Sequence, residues 1–199
     1  MAYIGKVPTA VPLSTSDLAD NIVTVDKLAT TLDLSSNTIT LPSGVGGKVL
    51  QVQQAVKTDT FTTTSSMVDI TGLTVNITPS STSNKILVLS TLNGSQDVGV
   101  TRGYMILYRD STEIFVGTDT GSRFGGSGSF SSVADSIASP SVNTTFLDTP
   151  NTTSQITYKW QGGNKGNPGS FFINRTDGDS NDATQIRLAS SITVMEISG

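Results

Sequence analysis

Two residue types that carry much of protein chemistry are missing from this sequence of 199 residues, which contains no cysteine and no histidine. Without cysteine, the chain can form no disulfide scaffold, thiolate metal site or cysteine nucleophile. Without histidine, it can form no imidazole-ligated metal site and no catalytic triad with a histidine base. What remains is carboxylate chemistry, which needs acids placed together in a site, or a binding or structural role. Of these we expect the binding or structural role, with no enzyme activity and no metal or other cofactor.

Charged residues and long apolar runs are also scarce. Charged residues make up 14% of the chain, against about a quarter in typical soluble domains. The basic residues are scattered singly, with no stripe that would neutralise a nucleic-acid backbone. No stretch approaches the roughly 18 apolar residues of a membrane span, and the opening residues lack the layout of a secretion signal. We expect neither nucleic-acid binding nor a membrane span.

Helix-forming residues are few, and strand-forming residues are plentiful. Glutamate occurs only at Glu113 and Glu196, whereas the chain contains 30 threonines and 27 serines. Threonine, valine, isoleucine and the aromatic residues favour strands. The composition therefore predicts an all-β protein.

Residues 1–13 are predicted to form an extended arm, because Pro8 and Pro12 disfavour a helix there. The arm carries apolar side chains that need a surface to bury against. Either the arm packs on its own domain, or it anchors the chain to another subunit. The anchor residues would be Tyr3, Ile4, Val7, Val11 and Leu13.

Residues 14–32 are the one stretch whose sequence pattern predicts a helix. Ser14, Thr15 and Ser16 are suitable N-caps, and Asp17 would lie in the first turn, where the helix dipole favours an acid. A single helix or two short helices broken near Thr24 would fit equally well, packed either on the C-terminal domain or on copies of itself. Its apolar residues follow the spacing of a coiled-coil seam, and these residues are Leu18, Ile22, Val25, Ala29 and Leu32.

Residues 32–43 alternate apolar and polar side chains on both sides of a Ser-Ser-Asn turn, which predicts a short β-ribbon. So short a ribbon has too little apolar surface to form a core unaided. Gly44, Gly46 and Gly47 then indicate a joint. We therefore divide the chain into an N-terminal anchor and stalk, residues 1–47, and a C-terminal domain, residues 48–199.

From Lys48 onward the sequence predicts about eight strands and no credible helix, which is typical of a β-sandwich or jelly roll. Leu73, Val75 and Ile77 mark a half-buried strand. The predicted strands include a central one at 86–89 that is covered on both faces, a hairpin at 103–117, and strands at 155–161, 170–174 and 184–197. Residues 117–142 are rich in glycine and serine and are predicted to form a long recognition loop.

Two groups of residues could carry binding chemistry. The alternating oxygen ligands of Asp177, Asp179 and Asn181, with Asp182 adjacent, could bind calcium. The spacing fails the EF-hand pattern, however, and a solvated turn explains these residues more simply. Aromatic and basic residues could contact a receptor, although Tyr158 and Trp160 would equally suit a core or a subunit interface. The candidate receptor-binding residues are Arg123, Phe124, Phe130, Tyr158 and Trp160.

Several segments of the sequence resemble segments of the tail-fibre and related virion proteins of marine and cyanobacterial phages. The N-terminal segments are Tyr-Ile-Gly-Lys-Val-Pro at 3–8, Asp-Leu-Ala-Asp-Asn-Ile at 17–22 and Asp-Lys-Leu-Ala at 26–29. Ser-Ser-Asn-Thr-Ile-Thr-Leu-Pro-Ser-Gly at 35–44 is similar to their linkers. The segments at 47–52, 71–81 and 191–197 resemble their C-terminal head domain.

The resemblance implies a short homotrimeric fibre that is attached to the virion by its N-terminus and attaches to the host through a β-sandwich knob. Its partners would be its own copies, other virion proteins such as the baseplate, tail adaptor or capsid, and a host surface protein or polysaccharide. It would be made in the host cytoplasm and located on the tail or head surface. Because tail fibres are often much longer, the alternative is a head fibre or capsid decoration protein.

Overall fold

The structure is a computed structural model that describes residues 48–97, 102–131, 137–165 and 168–199. The predicted anchor, helical seam and ribbon lie outside the described residues. The trimer and the division of the chain at residue 47 therefore stay predictions.

The described residues form two antiparallel sheets, which confirms the predicted all-β sandwich. The strands are β1 (Val49–Lys57), β2 (Phe61–Thr63), β3 (Val68–Ile77), β4 (Lys85–Gln96), β5 (Arg102–Arg109), β6 (Thr112–Ile114), β7 (Gly128–Ser131), β8 (Ser141–Asp148), β9 (Ile156–Gly163), β10 (Phe171–Ile173) and β11 (Ser190–Ile197).

Sheet 1 is organised around β4, the longest strand in the described part of the chain. Residues 85–91 of β4 pair with β11, residues 86–93 pair with β8, and residues 94–96 pair with β10. β1 extends the sheet beyond β11, and β2 extends it beyond β10. Sheet 2 has the order β3, β9, β5, and both β6 and β7 pair with the far side of β5.

The core lies between the two sheets and follows the alternation of the strands. Leu73, Val75 and Ile77 of β3 point inward, as their spacing predicts, and are at most 7% exposed. The rings of Phe130 and Phe171 stack at the centre, with centroids 5.7 Å apart. The remaining large buried side chains include Ile70, Ile86, Val88, Leu92, Met105, Leu107, Ile173, Ile192 and Val194.

Glycine is required beside the ring of Phe171 for reasons of space. A Cβ atom at Gly162 would lie 2.6 Å from a carbon of this ring, and a Cβ at Gly103 would lie 2.5 Å from another. Because interiors are packed at crystal-like density, neither position can accept even a methyl group without displacing the aromatic stack.

The predicted hairpin at 103–117 is confirmed, with β5 and β6 joined at Asp110, whose φ of 54° lies in the left-handed region. The prediction for 86–89 is right about the central position of the strand and wrong about one of its faces. Ile86 and Val88 are buried, whereas Leu87 and Leu89 on the outer face are partly exposed.

Three of the strands carry no clear signal in the sequence. β2 and β8 are rich in threonine and lack a clear apolar alternation, and the four residues of β7 include a single large apolar side chain, Phe130. The region 117–142, predicted to be one loop, therefore contains β7 and the start of β8. β11 begins at Ser190 rather than near Thr184.

A buried ionic cluster joins the two sheets. Asp148, at the end of β8 in sheet 1, accepts two hydrogen bonds of 2.8 Å from Nη1 of Arg109 in sheet 2. The hydroxyl of Tyr158 donates to Oδ2 of the same carboxylate at 2.6 Å. Burial of Tyr158, together with this hydrogen bond to Asp148, raises the pKa of the phenol. The cluster fixes one end of β8 to β5 and β9.

Replacement of Asp148 by Asn should destabilise the sandwich by about 3 kcal/mol, because it leaves the partly buried Arg109 guanidinium without its counter-charge. Urea denaturation of the two proteins measures the difference. The matched control is Asp69→Asn, which removes the charge of a half-exposed carboxylate that pairs with Lys159 at 2.8 Å. The control should cost less than about 1 kcal/mol, and equal costs would contradict the tether.

A second buried carboxylate, Glu196 on the inner side of β11, has only neutral partners among the described residues. Oε1 accepts hydrogen bonds from the backbone N–H of Ser80 (2.6 Å), its hydroxyl (2.7 Å) and Nδ2 of Asn84 (2.6 Å), and Oε2 accepts one from Gln51 (2.6 Å). Burial raises the pKa of this carboxyl group. The hydrogen bonds from Gln51, Asn84 and Ser80 outweigh burial and lower its pKa to about 2.

The lowered pKa of Glu196 makes stability depend on pH in a defined direction. Between its ordinary value of 4.5 and about 2, the unfolded chain binds a proton at Glu196 that the folded chain does not, so stability falls as the pH falls through this range. Glu196→Gln should remove this component. The free energy of unfolding, measured in urea at several pH values, should fall more steeply for the wild type than for the variant. Parallel curves would show that Glu196 does not contribute.

Candidate functional site

An open cleft lies beside the first half of β5, where β7 and the preceding loop meet it. Its volume is about 340 Å³. We call it the glycine-rich cleft, and it is lined by Arg102, Tyr104, Gly117, Thr118, Phe124, Gly125, Gly126, Ser127, Gly128 and Ser129.

Residues 117–127, which form one wall of the glycine-rich cleft, fold into a small closed loop. Thr120 and Arg123 exchange two backbone hydrogen bonds, of 3.0 and 3.1 Å. Gly121, at the tip of this turn, has a φ of 61°, which disfavours a side chain. At the base of the loop, the N–H of Gly117 donates to the carbonyl of Gly126 at 3.3 Å.

Two polar side chains fix this loop in place. The backbone N–H of Gly125 donates to Oδ1 of Asp119 within the loop. The hydroxyl of Ser127 accepts from the N–H of Leu107 at 3.0 Å and donates to the carbonyl of Ile114 at 3.2 Å. Ser127 therefore attaches the loop to β5 and β6, and the position of the wall is set before any ligand binds.

The packing of the loop also depends on a glycine at position 125. A Cβ atom on Gly125 would overlap the carbonyl oxygen of Gly117, whereas a Cβ on Gly126 would have no heavy atom closer than 3.5 Å. The two adjacent glycines therefore differ. Gly125 allows close approach of two chain segments, and Gly126 is not required for space.

The cleft combines aromatic faces with positive charge. Phe124 is 53% exposed and packs edge-on against Tyr104, with ring centroids 6.3 Å apart. Nζ of Lys165 lies 4.4 Å from the centroid of the Phe124 ring, and Arg102 and Arg123 are exposed nearby in the chain. Aromatic faces of this kind bind sugar rings or apolar side chains, and guanidinium groups bind carboxylates and phosphates. The arrangement suits a ligand with a flat apolar face and a negative charge.

The structure separates the five candidate receptor-binding residues into two groups. Phe124 lines the cleft, and Arg123 lies beside it in the loop. Phe130 is 1% exposed, and Tyr158 and Trp160 are fully buried. Contact of these three with a receptor is inconsistent with the structure, because they point inward and fill the core between the sheets. For Tyr158 and Trp160, the core alternative is therefore correct.

Arg102 and Tyr104 line the cleft, and the sequence did not predict this. The predicted hairpin at 103–117 places Tyr104 correctly in a strand, but the spacing of its residues does not show which segment lies beside that strand. The missing signal was β7, which pairs Tyr104 with Ser129 and so brings the loop next to the start of β5. With one large apolar side chain, Phe130, in four residues, β7 is too short to show an apolar alternation by which it could be recognised.

The acidic segment at 177–182 is held by arginines. The carboxylate of Asp179 pairs with Arg187 at 2.8 Å and with Arg175 at 3.4 Å. Asp182 caps its own turn by accepting hydrogen bonds of 2.8 Å from the N–H and hydroxyl of Thr184, which lower the pKa of Asp182. Among the described residues, no three histidine, cysteine or carboxylate side chains lie close enough to hold a metal ion.

Within the described ranges, no helix is long and apolar enough to cross a membrane.

Comparison with known proteins gives a structural likeness and no family. No family model and no curated protein matches the chain. Three solved structures of the VP2 protein of infectious bursal disease virus are similar to it. They are a mutant VP2 in T=1 particles (TM-score 0.39, 13% identity), a VP2 subviral particle (0.34, 13%) and the Gx strain (0.34, 12%).

The matches cover 80%, 81% and 81% of this chain but only 40%, 46% and 41% of the VP2 chains. The chain therefore spans less than half the length of these VP2 proteins. At these scores, the similarity assigns no function to this chain.

Proposed function

We propose that this protein is a structural component of a phage virion, a short homotrimeric fibre that is attached to the particle by residues 1–47 and contacts the host surface through its β-sandwich. The observation that carries the binding role is the glycine-rich cleft, where a half-exposed Phe124 is held rigidly beside Tyr104 and Arg102. The ligand would be a saccharide or peptide of the host surface that carries a negative charge.

The chemistry of the cleft supports binding rather than catalysis. Its side chains offer two aromatic rings, a guanidinium group and hydroxyl groups, and the lining contains no carboxylate that could act as a general acid or base. The chain has no histidine or cysteine that could take this role. A ligand would therefore be held on the ring faces and by Arg102 and would leave chemically unchanged.

The virion assignment is supported by the sequence. The phrases that resemble phage fibre proteins are spread over both the N-terminal segment and the sandwich. The apolar residues of the predicted arm, such as Ile4, Val7 and Val11, need a surface to bury against, and a larger particle supplies one.

Deletion of residues 1–13 tests the attachment. Particles produced with the shortened protein should lack it, because the apolar anchor is missing, while the purified shortened protein should keep the mass of a trimer in sedimentation. Immunoblots of purified particles give the first result. If the shortened protein is still incorporated, the anchor is wrong, and microscopy that locates the protein on head or tail distinguishes a decoration protein from a tail fibre.

Substitution of Phe124 by Ala tests the binding site. We expect particles with this variant to adsorb to host cells at least tenfold more slowly, because the main apolar face of the cleft is lost. The control is Phe115→Ala, a phenylalanine of similar exposure (45%) that packs on Phe146 and does not line the cleft. Adsorption is measured by counting unbound particles over time. Equal adsorption of wild type, variant and control would show that the cleft is not the receptor site.

A further inference from the structure

The two outer faces of the sandwich differ in chemistry. On sheet 2, the exposed polar side chains satisfy one another: Lys159 pairs with Asp69, and the hydroxyl of Tyr108 donates to Glu113 at 2.7 Å. On sheet 1, the half of the outer face nearer Ile197 is mainly apolar, and the other half carries polar residues such as Gln54, Thr91 and Asn143. The difference is informative because an outer face that meets only water has no need of apolar side chains.

Strand register places four apolar residues in one row across the outer face of sheet 1. Val52 lies opposite Met195, Met195 opposite Leu87, and Leu87 opposite Leu147. Val52 is 50% exposed and Leu147 is 47% exposed. Residues directly opposite one another in an antiparallel sheet share a face, so the row forms a continuous apolar band.

The neighbouring rows enlarge this band and contain almost no charge. One row has Leu89, flanked by Thr193 and Thr145, with Gln54 opposite Thr193, and the other has Val49 and Ile197 next to Lys85. We call these residues the sheet 1 patch: Val49, Val52, Leu87, Leu89, Leu147, Met195 and Ile197. Lys85 is the one charged residue beside it in these rows. Depletion of charge is typical of the centre of protein interfaces.

We propose that the sheet 1 patch is the surface by which the sandwiches of neighbouring copies contact each other. This inference rests on the proposed homotrimer. Around a threefold axis, three copies can turn the same surface toward the axis, and an uncharged apolar surface can meet its copies there without charge repulsion.

The position where the chain enters the sandwich supports a second copy as the occupant. Residues 1–47 lead directly into β1, and Val49, at the start of β1, lies opposite Ile197 within the patch. Copies that are joined through residues 1–47 are therefore connected at the end of the sandwich where the patch begins.

The size of the patch explains why it needs this connection. With strands about 4.8 Å apart and a rise of about 3.4 Å per residue, three outward rows across four strands cover about 400 Å². A stable interface between free proteins buries about 800 Å² per partner. The patch alone is too small for tight association, but a shared stalk raises the effective concentration of the sandwiches for one another.

Because the chain has no cysteine, a single introduced thiol reports on one position of the full-length protein. The test variants are Val52→Cys and Leu147→Cys in the sheet 1 patch, and the control is Thr74→Cys on the exposed outer face of sheet 2. We expect a bulky maleimide to label the two patch thiols at least tenfold more slowly than the control. A short bismaleimide should link copies through the patch thiols, alone or in mixtures of the two variants, and not through the control.

Two results would overturn the proposal. Equal labelling of patch and control thiols would mean that the patch is free in the protein, whatever covers it on a particle. Slow labelling without links between copies would mean that residues 1–47 of the same chain cover it. Sedimentation of the same samples separates this inference from the proposed function: a trimer with fast-labelling patch thiols defeats the inference alone, whereas a monomer defeats the trimer as well.

Discussion

The fold depends on the continuity of β4, because three different strands form their hydrogen bonds with its 12 residues. The partner changes from β11 to β10 along β4, and this break leaves backbone groups that need other partners. Asn174 supplies them. Its Nδ2 donates to the carbonyls of Lys57 (2.8 Å) and Asp59 (3.0 Å), its Oδ1 accepts from the hydroxyl of Ser190 (2.6 Å), and its N–H donates to Asn93 (2.8 Å).

One fully buried amide therefore joins the end of β10 to the start of β11 and to the link between β1 and β2. As a result, β11 and β1 before the break and β10 and β2 after it form one wide sheet with β4. The backbone of Asn174 has a φ of 62°, a left-handed conformation that asparagine tolerates better than most residues. An apolar side chain at this position would leave carbonyl groups buried without donors, which costs more than the lost contacts alone.

The sequence predicts the strands whose apolar and polar residues alternate. It does not predict the contacts that depend on small or polar residues. The inward positions of Leu73, Val75 and Ile77 follow from period-two spacing, which needs no knowledge of the partner strand. The roles of Asn174 and Gly162 follow from contacts with residues distant in the chain, and no local pattern contains that information. The same holds for the cleft: Phe124 is among the predicted receptor-binding residues, but Tyr104 lies beside it because of β7, a four-residue strand too short to show an apolar alternation.

The cleft and the sheet 1 patch both affect how tightly the proposed fibre can bind its ligand. An open cleft of about 340 Å³ that offers Phe124, Tyr104 and one guanidinium group can make only a few strong contacts, so a single copy would bind weakly. The loop that carries Phe124 is already fixed by Ser127 and Asp119, which lowers the entropy lost on binding. Repetition multiplies such weak sites only if their spacing is defined. Sandwiches that swing freely on a stalk would lose part of this gain, whereas sandwiches packed through the patch would present their clefts at fixed separations. In the proposed fibre, a modest apolar contact between copies therefore contributes to host binding without touching the ligand.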